Sequence, residues 1–193
     1  MKTKINFIDE NMSDVLVSNN SRTYVCSNFG VGKTSLLVKI AANYSIQDNK
    51  KILFVVNDDT VKNIERKFLA VYLSKNINEL TENEIFDNKF LGENTTLKIT
   101  KNFKQENFSN YDLIIFDSED KCDFENYDGY LFISKTINGK LPINKKYNYI
   151  FLNKTIDDKN NNTARVNIIS ENFVVNDLKI FFDNSNLNIS KMN

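Results

Sequence analysis

Apolar positions along this chain alternate between short continuous runs and helically spaced stripes. Thr23-Tyr24-Val25-Cys26 is a run of strand length that leads directly into a glycine-containing turn. Leu36, Leu37, Ile40, Ala41 and Tyr44 then recur at helical spacing and predict a helix over 35–44, closed by the polar stretch Gln47-Asp48-Asn49-Lys50. Ile52-Leu53-Phe54-Val55-Val56 is apolar throughout, the pattern of a strand covered on both faces. Asn57-Asp58-Asp59 ends it and supplies candidate caps for the next helix, whose stripe is Val61, Ile64, Phe68, Leu69 and Tyr72. The polar stretch 76–94 predicts at most a short helix around 82–87, and Thr96 to Thr100 alternates as a strand does. Asp112 to Asp117 contains the second continuous apolar run, Leu113-Ile114-Ile115-Phe116. Four further strands are predicted around 130–134, 149–152, 166–169 and 178–182. The first twenty residues read as a polar leader with scattered apolar anchors. Asp157 to Thr163 reads as an Asn-rich turn or loop, and 184–193 as a tail. Strand–helix units followed by strands indicate one α/β domain over 1–193, its sheet parallel at the centre and antiparallel at the C-terminal edge.

Composition narrows the chemistry. At 193 residues the chain is long enough to bury a substantial core. With no histidine, imidazole catalysis and His-ligated metals are excluded. Cys26 and Cys122 lack the spacing of a zinc site, and a reduced chain is the simpler reading. Lysine plus arginine equals aspartate plus glutamate at 25 each, so no global basic excess announces nucleic acid. No stretch is long and apolar enough for a membrane span, and the cytoplasm, or a host's cytoplasm for a viral protein, is the expected location.

The chemistry is concentrated in Ser27-Asn28-Phe29-Gly30-Val31-Gly32-Lys33-Thr34-Ser35. Between a strand and a helix this is a phosphate-binding P-loop. Backbone N–H groups wrap phosphate oxygens at the helix N-terminus, glycines allow close approach, Lys33 adds compensating charge, and the Thr34 hydroxyl is placed to ligate Mg²⁺. Ser27 stands where the pattern has its first glycine, and its small side chain is compatible with loop closure. Asp117, ending a buried strand, is the candidate carboxylate for the Mg²⁺ shell. Asp58 ends the strand after the P-loop helix. Two roles are open to it: orienting an attacking water, or capping the following helix. The ligands expected are therefore ATP and Mg²⁺.

With these motifs in order, the chain resembles the RecA-like motor domain of DnaB-type replicative helicases, phage versions included. The resemblance runs from the leader Asn6-Phe7-Ile8-Asp9-Glu10 through Val25 to Leu37, Lys51 to Asp59, the helix carrying Arg66 and Phe68, and Tyr111 to Asp117. It continues through Leu131-Phe132-Ile133-Ser134-Lys135 to the closing segments Ile168 to Asn172 and Leu178 to Asp183. It implies a RecA-like P-loop NTPase fold, Lys33 and Asp58 as catalytic residues, and partners such as single-stranded DNA, further copies in a hexamer-like ring, or a replication protein. The chain also departs from the family. Asp58 stands for the catalytic Glu, Lys135 for the sensor Gln, and Ser170-Glu171-Asn172 for the basic residues of the closing hairpin. The segment after Asp117, including Glu119, Asp120, Asp123, Glu125 and Asp128, is acidic where the family contacts DNA.

These departures lead to an expectation of ATP binding with weakened or partner-dependent hydrolysis, in DNA replication or recombination. Two alternatives stand beside it. One is a ParA/MinD-like positioning ATPase, to which Phe29 to Thr34 and Asp117-Ser118 are similar, although Asn28 replaces that family's signature lysine. The other is a degenerate, non-catalytic P-loop scaffold or inhibitor.

Overall fold

The computed structural model describes residues 3–12, 21–57, 59–87, 96–118, 127, 129–137, 143–144, 146–171 and 174–192. Their elements, in order, are α1 (Asn6–Met12), β1 (Arg22–Ser27), α2 (Lys33–Asp48), β2 (Ile52–Val55), α3 (Val61–Leu73), α4 (Glu82–Asp87), β3 (Leu97–Thr100), β4 (Leu113–Phe116), β5 (Tyr130–Thr136), β6 (Asn148–Asn153), α5 (Ile156–Asn160), β7 (Thr163–Ile169), β8 (Val174–Asp183) and β9 (Asn188–Lys191). Single 3-10 turns lie at Ile77–Glu79 and Phe108–Asn110.

The strands form one nine-stranded sheet in the order β3-β2-β4-β5-β1-β6-β7-β8-β9. From β3 to β6 every pairing is parallel. From β6 to β9 every pairing is antiparallel. The continuous apolar runs are explained by burial on two sides. Ile52 and Phe54, Leu113 and Ile115, and Phe132 belong to the large core beneath α1, α2 and α3. The residues between them, Leu53, Val55, Ile114, Phe116, Leu131 and Ile133, pack on the opposite face against Phe103, Phe108, Tyr111 and Tyr127. Alternation has period two, so a strand apolar on both faces shows no polar interruption.

Three expectations need correction. The leader contains a helix, α1, whose Phe7, Ile8 and Met12 are fully buried. It is held at its start by Asp9, which accepts from Thr3 N and Oγ1 and from Lys4 N. The C-terminal residues read as a tail include β9, paired with β8 and anchored by buried Leu187 and Ile189. A short amphipathic strand leaves little trace among polar neighbours, and only its pairing edge orders it. Thirdly, part of the Asn-rich stretch is helical: α5 opens on a capping box between Thr155 and Asp158. The caps of α3 also differ from expectation. Thr60 is the N-cap, accepting from Asn63 N at 3.1 Å. Asp58, Cys122, Asn172 and the acidic stretch from Glu119 to Asp128 other than Tyr127 lie outside the described residues.

Asp158 ties α5 to β7. It accepts from Thr155 N and Oγ1 and from Thr163 Oγ1, with the Arg165 guanidinium nearby. The backbone N–H of Thr155 holds its carboxyl down, outweighing the opposing effect of burial. The hydroxyls of Thr163 and Thr155 and the Arg165 charge assist, and the pKa falls to about 2 from an ordinary 3.8. A depressed folded-state pKa stabilises the fold above the unfolded value, and that contribution disappears as pH falls from 3.8 towards 2. Asp158→Asn is therefore expected to lower the melting temperature at pH 7, with the difference from wild type vanishing by about pH 2. Thermal melts monitored by circular dichroism across that range check it.

Candidate nucleotide-binding site

Parallel strands bring their C-terminal ends to one edge of the sheet, and loops leaving that edge converge. Here β1 ends at Ser27 and passes through the glycine loop into α2. Gly32 is the N-cap of α2, with φ +117°, and Gly30 has φ +76°. Both lie in the left-handed region that glycine adopts without a Cβ penalty. Gly32 is also pressed from behind: a Cβ there would sit 2.6 Å from Phe182 Cε1 and 2.9 Å from Asn184 Oδ1. Gly32 has no side chain to cap α2, so the loop presents bare N–H groups at a positive helix end. Helix α2 accordingly begins at Lys33, two residues before the predicted start at 35.

Ser27 does not prevent closure of the loop. It lies at a regular strand end, where no glycine conformation is required, and is almost fully buried. Its hydroxyl donates to Asn28 O at 2.7 Å and accepts from Lys33 Nζ at 3.3 Å. Lys33 Nζ also reaches Asn28 O at 3.4 Å. The lysine is thus folded over the loop, held by neutral oxygens at the long end of hydrogen-bonding range.

Thr34 and Asp117 come together from positions 83 residues apart. The Thr34 hydroxyl lies 2.8 Å and 3.0 Å from the two carboxylate oxygens of Asp117. Asp117 follows β4 directly, its N–H bonded to Val55 O at 2.9 Å, and it is 5% exposed. A hydroxyl and a carboxylate at one point are hard oxygen donors, the set that suits Mg²⁺, which usually takes few protein ligands beside phosphate and water. Among the described residues there is no group of three or more acidic, Cys or His side chains that could hold a metal by themselves. The donor set therefore fits a cation shared with phosphate.

These residues line a cavity of about 490 Å³. Gly30, Gly32, Lys33, Thr34 and Ser35 form its floor. Ser118, Ser134 and Thr136 come from the ends of β4 and β5, Asn184 from the end of β8, and Asp59 and Lys67 from α3 and its approach. Phe29 stands at the rim, 88% exposed. The sequence pattern does not single out Asp59, Lys67, Ser134, Thr136 or Asn184 as site residues. Asp59, Asn63 and Lys67 have helical i, i+4, i+8 spacing, a signal present in the sequence but common on solvated helix faces. Asn184 carries no local signal.

Asp59 is well anchored. One carboxylate oxygen accepts from Thr60 N and Asn63 Nδ2, both at 2.8 Å, and the other meets Lys67 Nζ at 2.8 Å. Burial pushes its pKa up, but the bonds from Lys67, Asn63 and Thr60 outweigh that and hold it below the ordinary carboxylate value.

Other residues singled out from the sequence lie elsewhere. Lys135 is on β5 between Ser134 and Thr136, so alternation turns it to the opposite sheet face, where its Nζ lies 5.7 Å from the Tyr24 ring centroid. Arg66 serves the fold, donating to Ile77 O and Leu80 O. Ser170 and Glu171 follow β7 beyond Ile169, which pairs with Tyr149 near the start of β6. That places them at the sheet edge opposite the P-loop.

A family model described as "Type III restriction enzyme, res subunit" (ResIII) matches residues 2–177. The chain belongs to this family. The ResIII-family chain is also similar to two solved structures. With the first, described as an ATPase domain, the TM-score is 0.64 at 12% identity, covering 90% of this chain and 85% of that one. With a DnaB-like replicative helicase, solved to show its interactions with primase, the TM-score is 0.69 at 11% identity, covering 99% of this chain and 63% of that one. The ResIII-family chain thus spans less than two thirds of that helicase's length. No curated protein matches it. At such identities the likeness is one of fold: this is the RecA-type ATPase fold of DnaB-like helicases, with a mostly parallel sheet and antiparallel edge strands. That is the fold class expected from the sequence. Among the described residues no helix is long and apolar enough to cross a membrane.

Proposed function

We propose that the chain binds ATP with Mg²⁺ in the cavity between the P-loop and the ends of β2, β4 and β5, and that it works as a helicase-like motor subunit with weakened or partner-dependent hydrolysis. The observation carrying this reading is the meeting of Thr34 with Asp117 at the start of α2. Mg²⁺, when bound, supplies charge neutralisation at the phosphate oxygens, and Thr34 and Asp117 would hold it. The loop N–H groups and Lys33 bind and orient the triphosphate. Asp58 remains the proposed water-orienting carboxylate.

Weak turnover is supported by three features. Lys135 faces away from the cavity. Glu171 stands in the segment where the resembled motors carry a basic finger, and a carboxylate opposes the charge that such a finger stabilises. Asp58 is one methylene shorter than the Glu it replaces.

The family and the fold support a role on DNA. The resembled helicases suggest single-stranded DNA, replication or recombination, a hexamer-like ring or a replication-protein partner. The family description, a restriction-enzyme subunit, suggests duplex DNA. ATP hydrolysis should be measured with no DNA, with single-stranded DNA and with duplex, beside Lys33→Ala. Low basal turnover that rises on addition of one DNA form and is lost in Lys33→Ala is expected. A wild type that neither binds ATP nor responds to either DNA excludes the reading. Sedimentation with and without MgATP separates a ring from a ParA/MinD-like dimer or an unchanged scaffold.

A further inference from the structure

The Asp59–Lys67 pair lines the same cavity as the glycine loop. The sheet order sets β1, β5, β4 and β2 side by side. From the P-loop at the end of β1, Thr34 already spans to Asp117 at the end of β4. The strand beyond β4 is β2, and adjacent strands are about 4.8 Å apart. Asp59 follows β2, and Lys67 rises beneath it two helical turns along α3. Both line the same cavity as Lys33 and Thr34. A triphosphate whose inner phosphates occupied the loop would have its terminal phosphate in this shared cavity.

We infer that Lys67 is a terminal-phosphate sensor acting within the same chain: it exchanges its bond to Asp59 for one to the γ-phosphate, and so makes the site prefer ATP to ADP. The inference rests on the proposed nucleotide-binding reading. Three features make the exchange feasible. Lys67 and Asp59 side chains are each 24% exposed, so the ion pair is neither deeply buried nor freely solvated. Asp59 keeps its bonds from Thr60 N and Asn63 Nδ2 when Lys67 leaves, so no carboxylate is stranded. The lysine stem is flexible and its ammonium carries rotatable donors, so it can turn from one oxygen anion to another without moving α3. The sensor would supply from this subunit a cation that Glu171 does not provide.

The test is affinity for a non-hydrolysable MgATP analogue and for MgADP, measured by calorimetry on wild type, Lys67→Ala, Lys67→Arg and Asp59→Asn. Lys67→Ala is expected to reduce the ATP-to-ADP preference about tenfold, the range of one charge-assisted hydrogen bond, with ADP affinity held within about twofold. Lys67→Arg should keep most of the preference. Asp59→Asn frees the lysine and removes a repelling charge, so the preference should stay or rise. A Lys67→Ala ratio equal to wild type overturns the sensor while leaving nucleotide binding intact. So does Asp59→Asn losing the preference as Lys67→Ala does, because the pair would then be a structural brace. A wild type that binds neither nucleotide overturns both this inference and the reading beneath it.

Discussion

Lys33→Ala should reduce affinity for ATP by roughly 100-fold or more, because a hydrogen bond to a charged group contributes about 1.5–3 kcal/mol and a desolvated phosphate left without its counter-charge costs further. The side chain is 9% exposed and folded over the loop, with its Nζ at 3.3 Å from Ser27 Oγ and 3.4 Å from Asn28 O. Neutral oxygens at those distances are readily exchanged for phosphate oxygens. The fold should be little affected, since the side chain belongs to none of the apolar core clusters. The decisive measurement is a titration with MgATP followed by calorimetry, paired with thermal melts. Wild type should gain melting temperature with ligand by mass action, and Lys33→Ala should gain none at the same concentrations. Equal affinities in the two proteins would show that ATP does not bind through this loop.

The second large effect is expected from Phe182, which is far from the P-loop in sequence. Its ring is fully buried and occupies the space a Gly32 side chain would need. Lys154 Nζ lies 4.4 Å from the ring centroid and also donates to Phe182 O at 3.1 Å. Phe182 N donates to Asn162 O at the end of the α5 segment. The end of β8 is therefore a buttress behind the glycine loop. Phe182→Ala removes a buried aromatic and leaves a cavity, a change that costs about 3–5 kcal/mol, corresponding to a fall of roughly 6–20 °C in melting temperature for a chain of this size. Nucleotide affinity should fall as well, because the N–H groups of the loop lose the surface that fixes them. Phe182→Leu keeps most of the volume and should recover most of both properties. Melts and titrations on the two variants check this; an alanine variant with unchanged affinity would show that the loop holds its shape alone.

These residues show how far local pattern reaches. The glycine loop, β2 and β4 carry local signals strong enough to place them within about two residues, and the strand that ends at Asp117 follows from its apolar run. Asp59 is legible only as a helix cap. Its role as a cavity wall depends on β2 lying next to β4, which no local pattern encodes. Lys135 illustrates the converse. Its position in a strand is evident from the sequence, but its face is set by register: Ser134 and Thr136 line the cavity and Lys135 lies over Tyr24. A shift of one residue exchanges every side chain between faces, so function assigned by alignment along a strand is sensitive to it. The strand in the expected tail escapes a local reading because β9 is stabilised by pairing with β8 and by Leu187 and Ile189, not by a run of its own.

By itself the sequence determined the glycine loop between β1 and α2, the alternation of strands and helices, and the chemical kinds of residue around the cavity, because turn formation, helix capping and burial each act within a few consecutive residues. Tertiary structure decided that Asp59 and Lys67 share a cavity with the glycine loop, that Lys135 turns away from it, and that Phe182 braces the loop from behind. Those contacts join segments tens of residues apart, and they follow from strand order and register, which are properties of the sheet as a whole.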